Sequence, residues 1–134
     1  MAELAPALYR NTSIKVLDLS GNYSNDMESA EIFRDILRSN KTLTALDLSG
    51  NEFGRTAGAV DCIAAGLRSN STPTEIDLSS CAMGGISIQT HSVCSRNTTL
   101  QKLTLGTNSI TYMTVDVLVE TMAQSSHHII DLEL

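Results

Sequence analysis

Residues 43–51 read Leu-Thr-Ala-Leu-Asp-Leu-Ser-Gly-Asn. Leu43, Leu46 and Leu48 are the apolar members, with short residues between them and a Ser-Gly-Asn turn at the end. The phrase recurs in phase. Ile14-Lys-Val-Leu17-Asp-Leu19-Ser-Gly-Asn22 begins 29 residues earlier, and Pro73-Thr-Glu-Ile76-Asp-Leu78-Ser-Ser-Cys81 begins 30 residues later. Leu100-Gln-Lys-Leu103-Thr-Leu105-Gly-Thr-Asn108 follows after 27 more, and a fifth copy, Ile129-Ile-Asp-Leu132-Glu-Leu134, after another 29. A period of a few tens of residues marks an array of stacked supersecondary units, each burying its apolar face against its neighbours.

The segments between copies carry a second, helical period. Glu28 to Arg38 sets Ile32, Phe33, Ile36 and Leu37 on one face, with Glu31, Arg34 and Asp35 between them. The next segment does the same with Val60, Ile63, Ala64 and Leu67, and the fourth with Val115, Leu118, Val119 and Met122. The phrase L-x-x-L-x-L-x-x-N, joined to helices of about ten residues, resembles the leucine-rich repeat, and its long period resembles the ribonuclease-inhibitor-like class. The resemblance spans essentially the whole chain. It implies an α/β fold: a right-handed solenoid shaped as a short horseshoe, with a parallel sheet on the concave face and helices on the convex face. Residues 1–134 then form one domain. Residues 1–13 are a partial repeat with a capping helix, 14–42, 43–72, 73–99 and 100–128 are full repeats, and 129–134 are a partial last one. In the third repeat Met83-Gly84-Gly85-Ile86-Ser87-Ile88 is poor helix material, so a short or distorted helix is expected there.

Composition narrows the function. The chain has 15 Asp and Glu against 9 Lys and Arg, a net charge of −6, which argues against an unspecific nucleic-acid binder. No apolar run is long enough to span a bilayer. The first ten residues contain an early Glu and no basic segment leading into an apolar one, so they do not read as a signal peptide. Cys62, Cys81 and Cys94 are odd in number and scattered, which suits a reduced, cytoplasmic protein better than a disulfide framework.

Two recurring positions look chemical and read as structural. Asn11, Asn40, Asn70 and Asn97 follow each helical segment and, like Asn22-Tyr-Ser, match the glycosylation sequon. Asn tolerates the left-handed conformation that ends helices, which accounts for the recurrence without glycans. Arg10, Arg38, Arg68 and Arg96 just before them suit the negative end of a helix dipole. At the end of the strand phrase stand Asn22, Asn51, Cys81 and Asn108. The resemblance implies that these point inward and bond backbone groups between repeats as a ladder, with Cys81 a buried thiol. Cys81, His91 and Cys94 match no standard zinc spacing, and His127-His128 reads as a solvated turn. No metal and no cofactor are expected.

In a stacked parallel sheet the residues between the leucines face outward. The central row is Asp18, Asp47, Asp77, Thr104 and Glu133. The row two residues before it is Val16, Ala45, Glu75, Lys102 and Asp131, and the row two after it is Ser20, Ser49, Ser79 and Gly106. Carboxylates one strand apart repel by roughly a kcal/mol in water, a cost in stability with no packing gain. The expected site is therefore an acidic, Ser-lined trough that receives Lys or Arg side chains of a protein partner. Tyr23 and Tyr112 on its rim are candidate anchors, while Phe33 and Phe53 fall at core positions.

The row is open to solvent, so catalysis is not expected. The leading reading is a non-enzymatic protein-interaction module, without nucleic acid or membrane. Proteins built from the shared repeat include nuclease inhibitors, the sensor ends of immune receptors and actin pointed-end cappers. Two alternatives stand beside it: a GTPase-activating protein similar to the Ran activator, and self-association through the apolar edge left by Ile129, Leu132 and Leu134.

Overall fold

The computed structural model describes residues 4–84, 96–113, 115–116, 119–120 and 129–134. Five three-residue strands, β1 (Val16–Asp18), β2 (Ala45–Asp47), β3 (Glu75–Asp77), β4 (Lys102–Thr104) and β5 (Asp131–Glu133), make one sheet in the order β1-β2-β3-β4-β5. Every neighbouring pair is parallel, and the register advances by one repeat each time: Leu17 faces Leu46, then Ile76, Leu103 and Leu132. Parallel neighbours need a crossover, and here helices supply it. Helix α1 (Leu4–Arg10) precedes β1, α2 (Met27–Ser39) joins β1 to β2, and α3 (Ala59–Ser69) joins β2 to β3 after a 3-10 turn at Phe53–Arg55. This is an α/β solenoid.

The helices form where the apolar period requires them. Asp26 caps α2: its Oδ1 accepts the Ser29 amide at 2.7 Å, with Glu28 in the first turn and Arg38 in the last. Its inward face buries Ala30, Phe33, Ile36 and Leu37, and α3 buries Cys62, Ile63, Ala64 and Leu67. The two helices approach closely at Gly66, where a Cβ would lie 2.9 Å from both Cα and O of Arg34. Phe33 and Phe53 meet edge to face, centroids 5.6 Å apart at 86°, a favoured aromatic geometry. Leu46, Leu48, Ile76, Leu103 and Leu105 complete the buried layer behind the sheet. Each such side chain contributes about 1.5–3 kcal/mol by leaving water. Helix α1 adds Ala5 and Leu8 over the first layer.

The left-handed backbone lies elsewhere than the helix ends. Asn40 and Asn70, which end α2 and α3, have φ/ψ of −70/132 and −104/143, so both are extended. The positive φ recurs instead in the turn after each strand, at Gly21 (64), Gly50 (67), Ser80 (54) and Thr107 (56). The asparagines recur for their side chains. Asn40 Nδ2 donates to Leu8 O at 2.9 Å, Asn70 Nδ2 to Asn40 O at 3.0 Å, and Asn97 Nδ2 to Leu67 O at 2.8 Å and Asn70 O at 3.1 Å. Their Oδ1 atoms accept amides at the start of the next strand, Thr42 and Leu43 for Asn40, Thr99 and Leu100 for Asn97. In the third repeat Pro73 replaces the second donor, and Asn70 Oδ1 accepts only the Thr72 amide among the described residues. Asn40, Asn70 and Asn97 are buried, so a glycan on any of them is incompatible with the fold.

The second ladder matches the expectation, with a graded end. Asn51 Nδ2 donates to Leu19 O and Leu48 O, both at 2.9 Å, and its Oδ1 accepts the buried Ser24 amide at 3.0 Å. Asn108 Nδ2 reaches Leu78 O at 2.8 Å and Leu105 O at 2.7 Å, and its Oδ1 accepts from Cys81 N and Met83 N. Cys81 Sγ donates to Leu48 O at 3.3 Å, and burial pushes this thiol up to about 11. A thiol suffices there because the amide that would need an acceptor, Phe53 N, already bonds Asn51 O at 2.7 Å. Asn22, in the first repeat, bonds only its own turn among the described residues, at Leu19 O and Ser20 O, and is exposed.

In the fourth repeat Val115 is half-buried, but Val119 is 54% exposed. The helical period assigned it to the core, and among the described residues no neighbouring helix covers it. Most of the irregular segment expected at Met83–Ile88, with His91, Cys94, Leu118, Met122 and His127-His128, lies outside the described residues.

Candidate functional site

The open face of the sheet carries the two outward rows in register. Asp18 stands beside Asp47, Asp47 beside Asp77, Asp77 beside Thr104, and Thr104 beside Glu133. The second row runs Val16, Ala45, Glu75, Lys102, Asp131 in the same way. From β1 to β4 the two rows line a trough of about 300 Å³ open to solvent, with Leu17, Leu46 and Ile76 in its floor. Strands about 4.8 Å apart bring six carboxylates (Asp18, Asp47, Asp77, Glu75, Asp131, Glu133) around a single ammonium, Lys102.

The charge is unevenly spread. Lys102 Nζ lies 3.0 Å from Glu133 Oε1 and 3.3 Å from Asp131 Oδ2. The Glu133 hydrogen bond, followed by that of Asp131, raises the lysine's pKa above its ordinary value. The one cation is thus held at the β4–β5 end, and negative charge is left concentrated over β1 to β3. On the other row Val16 is 69% exposed, an apolar patch beside Asp18.

The aspartates also have a local role. Each accepts the amide of the serine two residues on: Ser20 N to Asp18 Oδ1 at 2.9 Å, Ser49 N to Asp47 Oδ1 at 2.8 Å, Ser79 N to Asp77 Oδ1 at 2.8 Å. These Asx turns close the end of each strand. The row is therefore not without structural gain, contrary to the expectation from charge alone. The Ser20 amide, and then its side chain, hold the Asp18 carboxyl below the ordinary carboxylate range.

Other expected site residues fall as follows. Tyr23 and Tyr112 are 77% and 78% exposed on the strand-to-helix side, and Tyr23 takes a left-handed φ of 53. Glu75, Asp131 and Glu133 are exposed, Ser20 is exposed, and Ser49 and Ser79 are half-buried. Thr104 is buried at 7% exposure, because a short side chain stands between the longer Asp77 and Glu133. It offers far less surface than its row position implied. Sequence reasoning missed a rim device. Thr44 Oγ1 donates to Lys15 O and Thr74 Oγ1 to Thr44 O, each at 3.1 Å. The signal was a Thr directly after the first apolar position of two consecutive copies.

Among the described residues no group of His, Cys, Asp or Glu is placed to hold a metal ion, and no helix is long and apolar enough to cross a membrane. The model of the leucine-rich repeat family matches residues 10–22 and 39–58, which are the first two strand phrases with their approaches. The chain has the leucine-rich-repeat fold. Among solved structures it is similar to leiomodin-1 Actin-Binding Site 2, with a TM-score of 0.81 and 16% identity over 98% of this chain and 76% of that one. No curated protein matches the sequence. At that identity the likeness concerns the repeat fold and does not carry residues of a site across.

Proposed function

We propose that the chain is a non-enzymatic protein-interaction module whose acidic open face, with its tyrosine rim, binds a basic surface of a protein partner. The observation that carries this reading is the in-register row Asp18–Asp47–Asp77, with the single lysine of the face drawn away by Asp131 and Glu133. Charge of one sign along a trough with exposed apolar Val16 suits a partner that brings both ammonium or guanidinium groups and some aliphatic surface. Complementarity of this kind raises the association rate and disfavours acidic competitors. The long helical repeats support the ribonuclease-inhibitor-like class, and the buried thiols fit a reduced compartment such as the cytoplasm.

The test uses Asp18→Asn, Asp47→Asn and Asp77→Asn together. Asn keeps the Oδ1 acceptor for each serine amide and removes the charge, so the turns survive. A Lys/Arg-rich peptide should shift the NMR resonances of β1–β3 in the wild type at low salt and leave the triple variant unmoved. A Glu-substituted peptide should have no effect on either. Equal response of both proteins to the basic peptide would refute the acidic face as the site.

The similarity in fold to an actin-binding site gives a second reading, with actin as the partner. Co-pelleting with actin filaments, wild type against the same triple variant, tests it directly.

A further inference from the structure

The spacing of the rows says which element of a partner fits them, given that the open face is the binding site. Successive aspartates of the row lie one strand apart, about 4.8 Å, and the strands are only three residues long. A partner that follows the row must run across the strands and present one cation per strand. In an extended chain the side chains of one face repeat about every 6.6 Å. Over the two intervals from Asp18 to Asp77 it drifts out of step by about 3.6 Å. Tilting it to restore the match carries it off so narrow a sheet. An α-helix repeats every turn, about 5.4 Å, and drifts by about 1.2 Å over the same span, within the reach of a Lys or Arg stem.

A second, independent observation lies at the end of the row. Thr104 lines the trough, is only 7% exposed, and its hydroxyl has no hydrogen-bond partner among the described residues. Buried polar groups are normally paired, and this one stands beside Asp77 on the outward row. Asp77 and Asp47 each engage one carboxylate oxygen with a serine amide and leave the other without a protein partner among the described residues. A guanidinium, planar with five donors, bonds a carboxylate oxygen and a neighbouring hydroxyl together.

We infer that the open face takes a basic amphipathic α-helix of a partner protein, laid across β1 to β3 with Lys or Arg at one-turn spacing, and that Asp77 and Thr104 together hold an arginine at one end of it. Val16 and Ala45, in the row alongside, then meet the aliphatic stems of the helix.

Two peptides test this against the intact chain. One is a lactam-bridged helix with three arginines at i, i+4 and i+7, and the other carries the same arginines at alternate positions in a proline-containing, non-helical chain. Binding is read by fluorescence anisotropy at low salt. The helix is expected to bind roughly tenfold tighter, and Thr104→Val to weaken it severalfold with the urea midpoint unchanged. Equal or tighter binding of the non-helical peptide, still lost in the Asp18→Asn, Asp47→Asn, Asp77→Asn protein, overturns the helix and leaves the acidic face standing. If neither peptide depends on that row, both readings fall. Unaltered affinity in Thr104→Val removes Thr104 from the site.

Discussion

Asn22 and Asn51 occupy the same place in consecutive repeats, yet their replacement by alanine should have very different consequences. Asn51→Ala deletes the acceptor of the buried Ser24 amide and the donors to Leu19 O and Leu48 O. Leu19 O keeps Asn22 Nδ2, and Leu48 O keeps the weaker Cys81 thiol, so the unpaired Ser24 N–H dominates. An orphaned buried donor costs about 1–3 kcal/mol and a lost bond about 1 kcal/mol net. The expected loss is about 2–4 kcal/mol, out of about 5–15 for a domain of this size. In Asn22→Ala water replaces the exposed amide, and the loss stays below about 1 kcal/mol. Urea unfolding followed by circular dichroism reads the difference. With a slope of about 2 kcal/mol per molar, the Asn51→Ala midpoint should fall by about 1–2 M, and the Asn22→Ala midpoint by less than about 0.5 M. Asn51→Cys sharpens the test. It restores a donor toward Leu19 O, as the Cys81 thiol reaches Leu48 O, but no acceptor for Ser24, so it should recover only a small part of the loss. Midpoints of Asn51→Ala and Asn22→Ala that coincide would refute the account of the ladder given above.

Three further expectations follow from the backbone and the charges. Gly66→Ala improves helix propensity by up to about 1 kcal/mol, but it drives a methyl against the Arg34 backbone. Overpacking there should leave a net loss of about 1–2 kcal/mol, seen as a lower thermal midpoint. Thr107→Gly should do the reverse: a β-branched residue at φ 56 gives up a left-handed cost of about 1–2 kcal/mol, for a net gain of about 0.5–1 kcal/mol after the entropy of the unfolded chain. A lower midpoint would contradict it. Asp18 has a folded pKa depressed by the Ser20 amide below the usual Asp value of 3.8. Its contribution is therefore present above that pH and lost as pH falls through the lower folded value. The urea midpoint of Asp18→Asn should change less than that of the wild type on acidification below about pH 4.

The repeat made most of this legible. Period-2 alternation within L-x-L fixed which side of the sheet Asp18, Asp47 and Asp77 occupy, and the phase fixed that they are neighbours. Helical spacing placed Phe33, Ile36, Leu37, Ile63 and Leu67 in the core. What the sequence withheld depends on side-chain length and on distant partners. Thr104 is buried by the reach of Asp77 and Glu133, one strand away on either side. Lys102 is compensated by two residues 29 and 31 positions on. Asn40 and Asn70 were misread for another reason. A left-handed helix end and a side-chain bridge to the preceding repeat select the same residue at the same place, and only the backbone angles tell them apart.

The asparagine bridges at the helix ends have an evolutionary corollary. Each bonds backbone of the repeat before it and of its own repeat, and Asn40 and Asn97 also accept the first amide of the next, Leu43 and Leu100. Excision of residues 43–72 would join Thr42 to Pro73 and set Asn97 over Leu37 O and Asn40 O, the counterparts of Leu67 O and Asn70 O. The same bridge would form again, one unit closer to the start. Loss or duplication of a whole unit thus preserves the side-chain bridge between repeats, whereas a slip of one residue would turn a strand's leucines to the solvent. Copy number is the dimension along which such a chain can vary the extent of its open face without redesigning its core.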